Sequence, residues 1–195
     1  MNFKSDVIFA QRFLASSGLY KDKIDGLYGK NSRKAEDDFN KLFVKYADQY
    51  GRFDERSEGV IATLQPKAQI QARKLMKMAI GVLDVRLISG TRSYAEQNIL
   101  FNKRPKVTNA RGGQSNHNFG IAWDVGIFDK GKYYTGKTKK ETQAYIDLAD
   151  LVMPTLGNVL TWGGSWRSLI DRPHYEVTTG KSISQVRKLF EAGKP

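Results

Sequence analysis

The chain has no cysteine and only two histidines in 195 residues. The first absence excludes a disulfide framework and thiolate metal ligation, so any metal centre must draw on imidazole and carboxylate groups. It also fits a reducing compartment. Proline is scarce, with 5 residues, and no uninterrupted apolar run approaches the roughly 20 residues of a membrane helix. The opening stretch MNFKSDVIFAQRFLASSGLY carries Lys4, Asp6, Gln11 and Arg12 inside its apolar pattern, which suits neither a signal-peptide core nor a membrane span. The expectation is a chain with no export signal and no transmembrane segment.

What is present suffices for a packed core. Hydrophobic residues make up 40% and charged residues 27%, with 10 Phe, 9 Tyr and 3 Trp, too much apolar material for disorder. Lysine and arginine outnumber acids 32 to 20, a net charge of +12, which points to a polyanionic partner or an anionic surface. The excess is uneven: nine basic against seven acidic residues over positions 1–50, and 23 against 13 beyond. The second part carries the field.

Periodicity divides the chain into a helical unit over residues 1–50, a connection or short transition helix over 51–66, and a larger unit over 67–195. In the first unit Val7, Ile8, Phe9, Phe13 and Leu14 follow a helical spacing, with Ser5 as a candidate cap and Gly18 as a stop. A second helix carries Ala35, Phe39, Leu42 and Phe43 on its apolar side, capped at Asn31 or Ser32. Beyond residue 66, a helix through Leu75 and Met76 gives way to a strand, DVRLIS. Ser93 and Glu96 then form a capping box ahead of YAEQNILF. Residues 102–118 read as a long basic loop, FGIAWDVGIF and HYEV as strands, and KKETQAYIDLADLVMPTL and ISQVRKLFEAG as helices. The fold class expected is α+β, a small antiparallel sheet flanked by helices.

The two histidines lie beside acids. Alternation in FGIAWDVGIF puts Ile121, Trp123, Val125 and Ile127 on one face and Ala122, Asp124 and Gly126 on the other. His117 precedes that strand, after Gly112 and Gly113, in a loop able to fold back over the Asp124 face. In DRPHYEV the same rule puts His174 and Glu176 together, with Pro173 keeping Asp171 and Arg172 out of a helix. Two imidazoles and one carboxylate are the donor set of a catalytic zinc, which leaves a fourth position for water and lowers that water's pKa from about 15.7 to about 7. Asp171 is the candidate general base, and Glu176 the candidate partner that orients a ligand.

Two resemblances sharpen this reading. AQRFLASSGLY followed by IDGLYGKNSRKAEDDF resembles the three-helix peptidoglycan-binding module of bacterial and phage wall hydrolases. It implies wall contact through residues such as Tyr20, Asp25 and Tyr28. Ser115, His117, Gly120, Ala122 and Asp124 follow S-x-H-x-x-G-x-A-x-D, and DRPHYE supplies an acid three residues before a histidine. This pattern resembles the zinc peptidases of bacterial wall peptides, the D-alanyl-D-alanine carboxypeptidases and phage L-alanyl-D-glutamate endopeptidases. The resemblance implies zinc on His117, Asp124 and His174 and general-base work for Asp171. It implies that Arg92, in SGTRSYAEQ, stabilises the oxyanion, with Ser115 and Gln97 near the substrate and Trp162, in TWGGSW, walling the cleft. An aspartate at position 171 resembles the phage endopeptidase branch, where the carboxypeptidases carry glutamate.

The expectation is therefore a phage-type endolysin, monomeric, held in the host cytoplasm until released to the wall, with its basic surface drawn to peptidoglycan, lipopolysaccharide or other anionic wall polymers. A D-alanyl-D-alanine carboxypeptidase is the first alternative and a non-catalytic wall-binding protein the second. Nucleic acid is not an expected partner, because stacking aromatics do not interleave the basic loop at Lys103, Arg104, Lys106 and Arg111.

Overall fold

A computed structural model describes residues 6–194. Helix α1 (Val7–Ser16) starts at Asp6, whose carboxylate accepts from the Phe9 amide at 3.0 Å. Ser5, the cap expected from the sequence, lies outside the described residues. The helix ends where Gly18, at a φ of 78°, lets the Leu19 amide reach back to the Leu14 carbonyl. Helix α2 (Lys30–Tyr50) is preceded by Gly29 and has no side-chain cap. Asn31 and Ser32 do not cap it, because the preceding loop recruits them: Asn31 donates to Asp22 and Ser32 to the Leu27 carbonyl.

Residues 51–66 contain α3 (Glu55–Ile61), capped by Asp54, and end where Pro66 opens α4 (Pro66–Ala79). Arg73 of α4 is fully buried and donates to both oxygens of Glu58 at 2.7 and 2.8 Å and to the Gly51 carbonyl at 2.7 Å. The pair fixes α4 against α3 and the end of α2.

Five antiparallel strands follow: β1 (Asp84–Ser89), β2 (Ala122–Asp129), β3 (Lys132–Tyr133), β4 (Leu160–Trp162) and β5 (His174–Val177). Their order is β1-β2-β5-β4, with β3 paired to the end of β2. The remaining helices are α5 (Tyr94–Asn102), α6 (Lys139–Leu156) and α7 (Ile183–Glu191). The architecture is α+β, as expected. The capping box at Ser93 and Glu96 forms with both its hydrogen bonds.

One face of the sheet is apolar. Trp123, Val125 and Ile127 of β2, Leu87 of β1 and Tyr175 of β5 pack on Leu75 of α4 and Tyr145, Leu148 and Val152 of α6. Trp123 and Tyr175 are register partners and stack with ring planes 14° apart. A one-residue slip would exchange buried Trp123 with Asp124, so burial of the tryptophan pins the register. In that register Asp124 lies opposite His174 on β5 and Ser89 on β1.

A second apolar cluster joins Phe9, Phe13 and Leu14 of α1 and Phe39 of α2 to Phe119 and Phe190. Phe13 is fully buried and its ring packs edge-on to Phe39. It also sits where a Cβ on Gly120 would fall, 2.5 Å from the ring. Phe13→Ala is expected to destabilise the fold by about 3–5 kcal/mol, measured as a lowered urea midpoint with unchanged slope.

Candidate metal centre

His117 sits in a single 3-10 turn, Asn116–Phe119, that ends at Gly120 in the left-handed region, φ 72°. A side chain at 120 would strike Phe13 and Gln65 as well as straining the backbone. The turn is held from outside by Asn118, which donates to the Arg92 carbonyl at 3.0 Å and accepts from the Gly113 amide at 2.9 Å. The Arg92 amide donates in turn to the His117 carbonyl at 3.1 Å.

The loop thus returns His117 over the Asp124 face of β2. His117 Nε2 lies 3.2 Å from His174 Nδ1, and Asp124 Oδ1 lies 3.3 Å from each. Among the described residues these three form the one cluster able to hold a metal ion. A tetrahedral ion with bonds of about 2.0–2.2 Å needs donor atoms about 3.3–3.6 Å apart, which these spacings match.

The hydrogen bonds behind the cluster decide which nitrogens face it. His117 Nδ1 lies 2.7 Å from the Gly90 carbonyl, and His174 Nε2 lies 2.9 Å from Glu176 Oε2. Both partners only accept, so in the neutral rings both outward nitrogens carry the hydrogen and both inward nitrogens present lone pairs. Two lone pairs and a carboxylate oxygen converging on one point repel unless a cation lies between them. The residues therefore fit a divalent ion.

Charge at the site follows the same logic. Burial opposes charge on His174, but hydrogen bonds to Asp124 and Glu176 prevail and push its pKa up to about 9. Burial also opposes charge on Asp124, and the two imidazoles hold its carboxyl well below the usual carboxylate range. A proton therefore occupies the cluster near neutral pH when no metal does, and a metal must displace it. Metal affinity is expected to weaken as pH falls from 8 to 6, checked by zinc titration against a competing chelator.

Arg92 lies beside the cluster. Its Nη2 donates to Asp124 Oδ2 at 2.9 Å and to Ser89 at 2.8 Å, and its Nη1 to Gln97 Oε1 at 3.2 Å. This leaves Asp124 Oδ1 to face the imidazoles. Gln97 is fully buried and also donates to the Ala110 carbonyl, tying the basic loop to the arginine. Ser115 immediately precedes the 3-10 turn in extended conformation, and its side chain makes no capping bond.

Asp171 sits on the turn before β5, partly buried. Burial, reinforced by Asp124, raises its pKa above the ordinary carboxylate value. Its carboxylate makes no hydrogen bond among the described residues, so it is available to a substrate or water. The turn is shaped from outside by Trp162, whose indole N–H donates to the Arg172 carbonyl at 2.8 Å. Gly163 lets the turn approach, since a Cβ there would lie 2.5 Å from the Asp171 carbonyl and 3.0 Å from His174 Cβ.

The structure brings His117, Asp124, His174, Arg92, Gln97 and Glu176 into one connected group, with Ser115, Asp171 and Trp162 on the segments that frame it. Tyr20, Asp25 and Tyr28 lie apart. Tyr20 is buried, accepting from Gln11 and donating to the Lys23 carbonyl. Asp25 accepts from Gln11 and the Leu27 amide, and Tyr28 bonds Glu36. Four contributors were missed. The Gly90 carbonyl is backbone and leaves no sequence signal. Ser89 follows only from the β1–β2 register. Trp166, 4.9 Å ring to ring from His174, sits in an irregular segment. Asn116 donates to Glu176 Oε2 at 2.8 Å, and its place in the motif between Ser115 and His117 was the available clue.

Glu176 is thus clamped between Asn116 and His174. Glu176→Gln is expected to weaken metal binding about 10–100-fold while keeping the fold, measured by chelator competition and circular dichroism.

Residues 108–177 match the family model described as D-alanyl-D-alanine carboxypeptidase. The chain is 34% identical over 106 residues to the peptidoglycan L-alanyl-D-glutamate endopeptidase CwlK of Bacillus subtilis, covering 49% of this chain and 61% of that protein. It therefore spans less than two thirds of that relative. The fold resembles the crystal structure of the Serratia marcescens L-Ala D-Glu endopeptidase ChiX, with a TM-score of 0.51 and 24% identity over 67% of this chain and 92% of that one. No helix among the described residues is long and apolar enough to cross a membrane. The stretch that matches this family model, residues 108–177, is also the stretch that supplies all three candidate ligands.

Proposed function

We propose that the chain is a zinc peptidase that hydrolyses the L-alanyl-D-glutamate bond in the stem peptides of bacterial peptidoglycan. The observation that carries this reading is the convergence of three donor atoms 3.2–3.3 Å apart, with both imidazoles backed by acceptors. The bond choice is supported by the names of the two relatives, both L-alanyl-D-glutamate endopeptidases.

Zinc, when bound to His117, Asp124 and His174, supplies the Lewis acidity that makes water a nucleophile near neutral pH. Asp171 accepts the attacking water's proton on a carboxylate oxygen as the water oxygen bonds to the scissile carbonyl carbon, and passes it to the leaving amine as the C–N bond breaks. Arg92, anchored by Asp124, Ser89 and Gln97, opposes the negative charge that builds on the carbonyl oxygen. Ser115 and Trp162 border the substrate, and Asn116 and Glu176 hold the His174 ring in the tautomer that faces the metal.

In the same reading the protein is a phage-type endolysin, acting as a monomer after release from the host cytoplasm. Its helical unit over residues 1–50 is the wall-binding module, with exposed Asp25 and half-buried Tyr28 as its wall contacts and buried Tyr20 bracing them from within. The net charge of +12 holds the enzyme on anionic wall polymers or lipopolysaccharide, an attraction that salt weakens. A second reading, D-alanyl-D-alanine carboxypeptidase, is favoured by the description of the matched family.

The zinc-loaded protein is expected to clear a suspension of purified peptidoglycan, the chelated protein to leave it turbid, and added zinc to restore clearing. Clearing that survives complete metal removal would overturn the reading, and a protein that binds the wall without clearing it would be a wall-binding module alone.

A further inference from the structure

A groove of about 590 Å³ runs between the end of α1, the middle of α2, the start of α4 and α7. Its volume falls in the range of small-ligand sites. Phe119, Ile121, Val177 and Phe190 line its apolar part, with Tyr46 of α2 alongside. Lys67, Lys181 and Lys194 also line it, all exposed, and no acidic residue does. None of the three lysines makes an ion pair among the described residues. Three unpaired ammonium groups around one concavity repel one another, and an anion relieves the repulsion.

The rest of the lining adds hydroxyls from Thr178 and Thr179. An aromatic face with neighbouring hydroxyls and apolar surface suits a sugar ring, whose faces are apolar and whose rim is polar. Sugar together with carboxylates is the chemistry of a muropeptide, a wall disaccharide carrying its acidic peptide stem. The position fits as well. Val177 donates its amide to the Ile121 carbonyl at 2.9 Å, and these residues lie three positions along the chain from His174 and Asp124, about 10 Å at strand spacing. Phe119 belongs to the same 3-10 turn as His117.

Building on the peptidase reading above, we propose that this groove is a second wall-binding site. It holds a neighbouring muropeptide, sugar against Tyr46 and the apolar floor and stem carboxylates on Lys67, Lys181 and Lys194, while another stem is cut at the metal centre. Wall contact is thereby located where the N-terminal helices meet the peptidase domain, away from the buried Tyr20.

The test uses the full chain, stripped of metal to prevent turnover, and a purified disaccharide-tetrapeptide muropeptide as probe in calorimetric titration. The triple variant K67E/K181E/K194E is expected to bind about tenfold more weakly than the parent, as loss of three exposed charge contacts implies. A control with the same charge change elsewhere, K21E/K77E/K139E, is expected to bind like the parent. Loaded with zinc, the groove variant should cut a short soluble stem peptide at the parental rate yet clear wall suspensions about tenfold more slowly. Parental muropeptide affinity in the groove variant, an equal loss in the control, or equal binding of a neutral chitin tetrasaccharide would each overturn the proposal. Failure of the parent to cut the soluble peptide would remove the peptidase reading and this proposal with it.

Discussion

His117→Ala is expected to eliminate turnover and bound zinc together. The substitution leaves two donor atoms, His174 Nδ1 and Asp124 Oδ1, where a catalytic zinc uses three. No other imidazole or thiolate can take its place, because His117 and His174 are the only histidines in the chain and there is no cysteine. The Gly90 carbonyl, 2.7 Å from His117 Nδ1, also loses its partner. The parent should carry about one zinc per chain by elemental analysis and the variant almost none, with hydrolysis reduced to background. A variant that retains full metal and full activity would refute the ligand assignment.

Asp171→Asn separates chemistry from metal binding. The isosteric amide cannot take a proton from water, so the rate should fall about 10²–10⁴-fold, the usual contribution of a general base, while zinc content stays near the parental value. The two states of Asp171 make a further distinction. Its folded pKa is raised by burial and by Asp124, so the neutral form is the one the fold prefers. The associated stability is fully present below the unfolded pKa and is lost as pH rises through the folded one. At pH 7 the ionised carboxylate therefore costs stability, and the metal-free Asn variant should melt at a higher temperature than the metal-free parent. A variant less active yet more stable is what a residue kept for chemistry produces. Unchanged turnover would place the base elsewhere.

Much of this architecture was legible because burial and chemistry act on different faces of the same strands. The alternation of Trp123 with Asp124 and of Tyr175 with His174 encodes an apolar side and a polar side. Once both strands are read, the pairing of Asp124 with His174 brings two of the three ligands together. The Ser93–Glu96 capping box was legible for a similar reason, since both of its bonds are local.

What the sequence hid depends on contacts between distant segments. Strand β4 and strand β3 are three and two residues long, too short for a period to register. The role of Trp162 is a bond to the Arg172 carbonyl, ten residues away, and Gly163 is required by the approach of a turn, not by its own conformation. Asn31 and Ser32 look like caps locally, but the loop before α2 uses them first. The apolar cluster of the N-terminal helices also takes in Phe119 and Phe190 from beyond residue 66, contacts that no local period encodes.

The central claim is that this metal centre cuts one particular amide bond. Mass spectrometry of purified peptidoglycan digested by the zinc-loaded protein tests it most directly. The account predicts fragments with a new amino terminus on D-glutamate, absent after chelation and absent with His117→Ala. Fragments that have lost only a terminal D-alanine, or a wall left chemically intact by the zinc-loaded protein, would contradict it.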